Sequence, residues 1–246
     1  MNDQSNAPMS SEPAQSAGFA GWFSIWMTAV TKPNEQTFAT LVEHPDAQSN
    51  GRAFTWVFLA GTVSALISGV LNSILQLAGF AAQTPGLSDL FGGNAQRGVA
   101  FTLGIAICGS PVIGALLTLV FAIGVGIIQW VAKMFKGTGT FSQLAYTMAA
   151  VYVPSTLVSS ILSAFSAIPF LVLCLWPISI LLALYVVVLN VMAVKAVNKI
   201  GLVEAAGSVI LPSLALACCA FVVIFGMAAL GVAVSDSFNS INQSLP

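Results

Sequence analysis

Lys133-Met-Phe-Lys136-Gly-Thr-Gly-Thr140-Phe141-Ser-Gln-Leu-Ala-Tyr146, running on to Tyr152-Val-Pro154, is a short basic loop, broken by glycine, between two long apolar runs. It holds two of the chain's seven Lys and Arg residues, so it helps fix which way the chain sits in a bilayer. The rest of the chain is poorer still in charge. Of 246 residues, 57% are hydrophobic and 6% are charged, and the mean hydropathy is +0.94. A soluble domain carries roughly 25% charged residues. This chain cannot cover a water-facing surface, so lipid is its solvent.

A net charge of −1 offers nothing to a nucleic acid backbone. Cys108, Cys174, Cys218 and Cys219 all lie inside apolar runs without CxxC spacing. They read as buried small hydrophobes rather than a disulfide or metal set. Residues 1–18 contain Asp3 and Glu12 but no Lys or Arg, and are rich in Ser, Ala, Pro and Gln. They lack the positive start and close apolar run of a cleavable signal and read as a disordered tail.

Residues 19–52 are read as cytoplasmic interfacial helices. The apolar residues from Phe19 to Val30 include Trp22 and Trp26, and the segment is too short to span. Two tryptophans one helical turn apart suit the headgroup layer; the other reading is a helix packed on the bundle. Pro33 is expected to open a second short helix with Thr31 or Lys32 near its cap, an apolar stripe of Phe38, Leu41 and Val42, and an end at His44-Pro45. Glu43, His44 and Asp46 read as a solvated turn rather than a metal site.

Beyond residue 52 the pattern predicts an all-α polytopic membrane domain over residues 53–234. Five spans are expected, at about 53–80, 108–132, 142–165, 170–194 and 210–234, with residues 235–246 a polar tail. Gly61, Ser64, Ala65, Ser68 and Gly69 make a small-residue face on the first span, where another helix can approach closely; Gly114, Gly124 and Gly126 are similar positions on the second. Asn72 and Gln76 lie one turn apart and serve either hydrogen bonding or a polar pore lining. The second apolar run, 99–132, is about 34 residues long and is interrupted at Ser110-Pro111. It forms either an entry helix and kink or two half-spans. Pro154 is expected to kink the third span. Ser166–Pro169 is a short turn, so the third and fourth spans form an antiparallel hairpin. Gly201 is expected to stop the fourth, and Leu211-Pro212 to open the fifth.

With five spans, Lys32, Arg52, Lys133, Lys136, Lys195 and Lys199 all fall on one side and only Arg97 on the other. The positive-inside rule then puts the N-terminus in the cytoplasm and the C-terminus outside. Splitting the second run at Pro111 would scatter these charges, which argues against six spans.

The predicted spans contain no Asp, Glu, Lys, Arg or His. A charge at mid-bilayer costs roughly 2.5–3.5 kcal/mol and is kept mainly for function. Its absence argues against a proton-coupled pump, a voltage sensor and intramembrane acid–base chemistry. With one histidine in the chain and no HExxH, no Ser/His/Asp set is credible. Gly137-Thr-Gly139-Thr140 lacks Walker spacing and reads as a flexible turn that starts a helix capped by Thr140 or Ser142. No catalytic, metal-ligating or cofactor-binding residue is expected, and no cofactor.

Several segments, in order, resemble a known family. Trp26, Thr31-Lys-Pro33 and Thr37-Phe38 lead into the first span. Gly137-Thr-Gly-Thr-Phe141 leads into the third, which carries Tyr146 and Tyr152-Val-Pro154. Asn190-Val-Met-Ala-Val-Lys195-Ala-Val follows in the fourth. Together, over roughly residues 26–234, they are similar to the bacterial branch of the Yip domain family, five-span proteins named for interaction with Ypt/Rab GTPases. The resemblance implies a five-helix bundle, a cytoplasmic N-terminus and no known enzyme activity. Eukaryotic relatives act with Rab GTPases in vesicle trafficking and carry an acidic-Leu-aromatic-Gly-Pro motif before the first span. Here the nearest match, Asp89-Leu-Phe-Gly-Gly93, falls after that span, so Rab binding is not carried over.

The sequence thus points to a non-enzymatic membrane scaffold or adaptor. Its expected partners are the lipid bilayer, protein partners, or further copies of the chain docked through small-residue helix faces. The membrane is the plasma membrane if the host is bacterial. The competing reading is a small-solute transporter or channel, resting on Pro111, Pro154, Pro177 and Pro212 and on Asn72, Gln76, Gln129 and Asn190.

Overall fold

The computed structural model describes residues 18–79, 95–166, 168–215 and 218. Every regular element among them is helical. The elements are α1 (Phe19–Thr31), α2 (Glu35–Glu43), a single 3₁₀ turn (Pro45–Gln48), α3 (Asn50–Leu77), α4 (Ala95–Met134), α5 (Phe141–Phe165), α6 (Pro169–Asn198) and α7 (Leu202–Ala215). Four helices are long and apolar enough to cross a membrane, over Asn50–Leu75, Ala106–Met134, Phe141–Phe165 and Phe170–Asn198. Most of the expected fifth span, 210–234, lies outside the described residues, as do the N-terminal tail, the polar tail and Asp89–Gly93.

α1 carries apolar residues on both its buried and its exposed face. Gly21, Ile25 and Ala29, spaced four apart, are buried with Trp26, while Phe19, Phe23 and Met27 are exposed. Trp26 meets Trp56 of α3 edge to face at 5.6 Å. The tryptophan expected at the headgroup layer therefore turns inward, because a bundle face of Trp56 and Tyr146 buries more of the indole than an interface can. α2 is capped by Asn34, whose side chain accepts from the Thr37 N–H, and not by Thr31 or Lys32. Thr31 instead donates to the Met27 carbonyl, and Lys32, ahead of Pro33, closes α1 outside the helical region, its N–H bonded to the Thr28 carbonyl. Phe38 and Leu41 are buried, as their spacing predicts, and His44-Pro45 ends the helix.

α3 packs along α4 through small residues. A Cβ on Gly61 would lie 3.2 Å from the Gly114 backbone, and one on Gly69 only 2.3 Å from the Ala106 side chain. The small-residue face is thus consumed inside the chain and is not free for a second copy at these two glycines. Gly124 and Gly126 are different: nothing lies within 4 Å of a Cβ on Gly124, and only the edge of Phe141 at 3.9 Å from one on Gly126.

α4 runs unbroken through Pro111, so the long run is not divided into half-spans. Proline cannot bond to the carbonyl four residues back, here that of Ile107. The Ser110 hydroxyl donates to that carbonyl at 3.2 Å and takes the missing bond's place. At about 1.5 Å per residue, 40 residues extend about 60 Å, more than a hydrocarbon core of about 30 Å, and the apolar window covers only the later part.

α5 is the central helix. Its first half is almost wholly buried from Leu144 to Val151, against α1, α2, α3 and α6. α5 and α6 run antiparallel, since the Thr138 N–H ahead of α5 donates to the Asn198 carbonyl at the end of α6. α6 stops at Lys199, in the left-handed conformation with φ 53°, rather than at Gly201. Asn198 is committed to the core, so the reversal falls on the residue immediately after it. α7 is already helical from Leu202, with Ala205, Ser208 and Val209 buried, so Leu211-Pro212 does not open it. Cys108, Cys174 and Cys218 are exposed on the bundle surface, contrary to the expectation of burial. In a lipid solvent, a small apolar side chain gains little by turning inward.

Candidate functional site

Three features stand out from an otherwise apolar bundle: a buried amide lock, an aromatic and ionic cluster beside it, and a hydroxyl-lined cleft farther down the bundle.

The lock joins three helix ends. Gln129, near the end of α4, donates through Nε2 to the Gly139 carbonyl at 2.7 Å and to Asn198 Oδ1 at 3.1 Å. Asn198 Nδ2 returns a bond to Gln129 Oε1 at 3.3 Å and another to the Val194 carbonyl at 3.3 Å. Both amides are buried, and both need these partners because an unmade buried hydrogen bond is costly. Glycine is required at both loop positions. A Cβ on Gly137 would lie 2.8 Å from Asn198, and one on Gly139 2.5 Å from Val197. The Gly137–Thr140 segment is therefore a fitted wedge rather than a flexible turn. It runs directly into the α5 cap, where Thr140 and Gln143 form a reciprocal capping box; Thr140, not Ser142, is the cap.

Beside the lock, His44 stacks on Tyr146 with ring centroids 5.8 Å apart. His44 Nδ1 accepts from the Asp46 N–H, which leaves the proton of the neutral ring on Nε2. Asp46 receives both Nε and Nη2 of Arg52, at 3.1 and 3.3 Å, and the guanidinium lies 5.3 Å from the Trp22 ring centroid. Glu35 pairs with Lys195, tying α2 to α6. The turn read as solvated is thus a partly buried clasp between α3 and the N-terminal helices. Among the described residues, no group of three His, Cys, Asp or Glu side chains is placed to hold a metal ion.

The cleft opens between the far halves of α5 and α6. It encloses about 660 Å³ and is lined by Tyr152, Ser159, Ser163, Trp176, Ser179 and their neighbours. Ser155, Ser163 and Ser179, which line it, spend their protons on carbonyls of their own helices, which leaves their oxygens with acceptor capacity only. A smaller space of about 140 Å³, lined by Phe121, Tyr152, Val186 and Asn190, adjoins it. Neither contains an acid or a base.

The polar residues singled out in the sequence divide accordingly. Gln129 belongs to the lock and not to a pore. Asn72 donates to the Ser68 carbonyl of its own helix at 2.7 Å. Asn190 faces the small cavity, and the Gln76 side chain lies outside the described residues. Asn198 and the α5 hydroxyl stripe carry no role in the sequence reading above. Ser155, Ser159 and Ser163, each four residues apart, were a legible signal for a polar helix face.

In comparisons with known proteins, the family described as the Yip1 domain matches residues 27–224. Neither a curated protein nor a solved structure matches the chain.

Proposed function

The chain belongs to the Yip1 domain family, and from that membership we propose that it is a non-enzymatic membrane scaffold or adaptor that binds protein partners or lipid. One observation carries the reading. The described candidate spans cross without an acid or base in their interiors, while Glu43, His44, Asp46, Arg52, Lys195 and Lys199 gather with the amide lock at one end of the bundle. Such a molecule offers one chemically varied face and an inert shaft. We place that face in the cytoplasm on the positive-inside rule, with five spans in all, the fifth over 210–234, and the C-terminus outside. In a bacterial host this is the plasma membrane. Copurification of the full chain in mild detergent is expected to recover a consistent partner or a defined oligomer. Repeated recovery of a lone monomer overturns the proposal.

A second reading, a small-solute transporter or channel, is favoured by the hydroxyl-lined cleft between α5 and α6. Flux through proteoliposomes that falls in Ser159→Leu and Asn190→Leu supports it. Absence of solute-dependent flux retires it.

A further inference from the structure

A third cavity, of about 420 Å³, lies at the cation-bearing end between α2, the wedge loop and the end of α6. Glu43, Gln48, Thr138, Thr140, Val197 and Lys199 line it. The ion pairs among the described residues join Asp46 with Arg52 and Glu35 with Lys195. Glu43 and Lys199 face the same space, and neither takes part in those pairs. An acid and a base sharing one cavity without meeting suit a ligand that carries both opposite charges.

The walls are built before any ligand arrives. One is the wedge loop, held by the Gln129–Gly139 bond and by the Thr138 N–H on the Asn198 carbonyl. The other is α2, fixed by its buried Phe38 and Leu41 and by the Glu35–Lys195 pair. The depth is also set. Thr138 and Thr140 immediately precede the Phe141–Phe165 candidate span, and Lys199 immediately follows Phe170–Asn198. The lining therefore sits at the level of lipid headgroups, outside the hydrocarbon core.

We propose that this cavity binds the headgroup of a phospholipid that carries both a phosphate and a primary ammonium, the chemistry of phosphatidylethanolamine. Lys199 and the Thr140 hydroxyl, whose oxygen accepts from the Gln143 N–H and whose proton is free, take the phosphate oxygens, and Glu43 takes the ammonium. A choline headgroup has no N–H to give the carboxylate, and a purely anionic headgroup meets Glu43 with like charge. The site deepens the lipid-binding side of the adaptor reading and rests on it.

The test uses the full chain in mild detergent, titrated with dihexanoyl phosphatidylethanolamine, dihexanoyl phosphatidylcholine and inorganic phosphate. The ethanolamine lipid is expected to bind about tenfold more tightly than the choline lipid, the worth of one charge-assisted hydrogen bond. Glu43→Gln should bring it down to the choline level, and Lys199→Gln should weaken both lipids alike. Equal binding of the two lipids by the unaltered chain overturns the proposal. So does discrimination that survives Glu43→Gln, or phosphate that binds as tightly as the ethanolamine lipid. Binding that appears only after removal of residues 1–17 makes the tail the occupant and overturns it too. Headgroup discrimination without any copurifying protein keeps the site and retires a protein-binding adaptor; a stable partner without discrimination does the reverse.

Discussion

The carboxamides of Gln129 and Asn198, 69 residues apart in the chain, hydrogen bond to each other in both directions, at 3.1 and 3.3 Å. The Gln129 carboxamide also holds the loop ahead of α5 at the Gly139 carbonyl, and the Asn198 backbone carbonyl holds it at the Thr138 N–H. Three helix ends are thereby fixed at one point, on which both the cytoplasmic face proposed above and the cavity beside it depend.

Replacing either amide with leucine leaves the other buried and without its partner. Gln129→Leu and Asn198→Leu are each expected to cost about 1–3 kcal/mol. The double variant should cost less than the two single changes added together, since it leaves neither amide stranded. Unfolding in graded mixtures of mild detergent and dodecyl sulfate measures all three. Strict additivity would show that the two amides do not act as a pair.

The glycines separate into fitted and open positions. Gly139→Ala drives a methyl group to 2.5 Å from Val197, and Gly69→Ala drives one to 2.3 Å from Ala106. Each should destabilise by about 1–3 kcal/mol. Gly124→Ala, with nothing within 4 Å, should be neutral or slightly stabilising. The same unfolding measurement ranks them, and a costly Gly124→Ala would contradict the packing.

Trp26 tests what anchors α1. Its indole nitrogen is buried with no hydrogen-bond partner among the described residues, so the ring contributes by packing alone. Trp26→Phe should cost less than about 1.5 kcal/mol and Trp26→Ala about 3–5 kcal/mol. If phenylalanine is as damaging as alanine, the N–H has a partner after all.

Orientation can be read from single cysteines. The exposed native thiols Cys108, Cys174 and Cys218, and with them Cys219, are first changed to serine. In that background Lys136→Cys should react with an impermeant reagent only from the cytoplasmic side of sealed vesicles, and a cysteine added after Pro246 only from the other. The same side for both would rule out three spans after Lys136.

The sequence alone was enough for solvent, class and family. A chain this poor in charge must live in lipid, and in lipid its backbone must satisfy itself as helix. The spacing of Phe38 and Leu41 and a helix cap at Thr140 or Ser142 were legible because they are local patterns. What only the tertiary structure decided depends on which surfaces meet. Trp26 could face headgroups or protein, and an indole suits both; contact with Trp56 settled it. Gly61 and Gly124 look alike in sequence, but only Gly61 has a helix against it. Gln129 read as a pore residue because nothing in its own helix reveals that Asn198, at the end of another, completes its hydrogen bonds. Lipid supplies no hydrophobic drive to sort one apolar helix face from another. The choice is therefore made by small steric fits and a few amide bonds, which belong to pairs of distant residues and not to any one stretch of the chain.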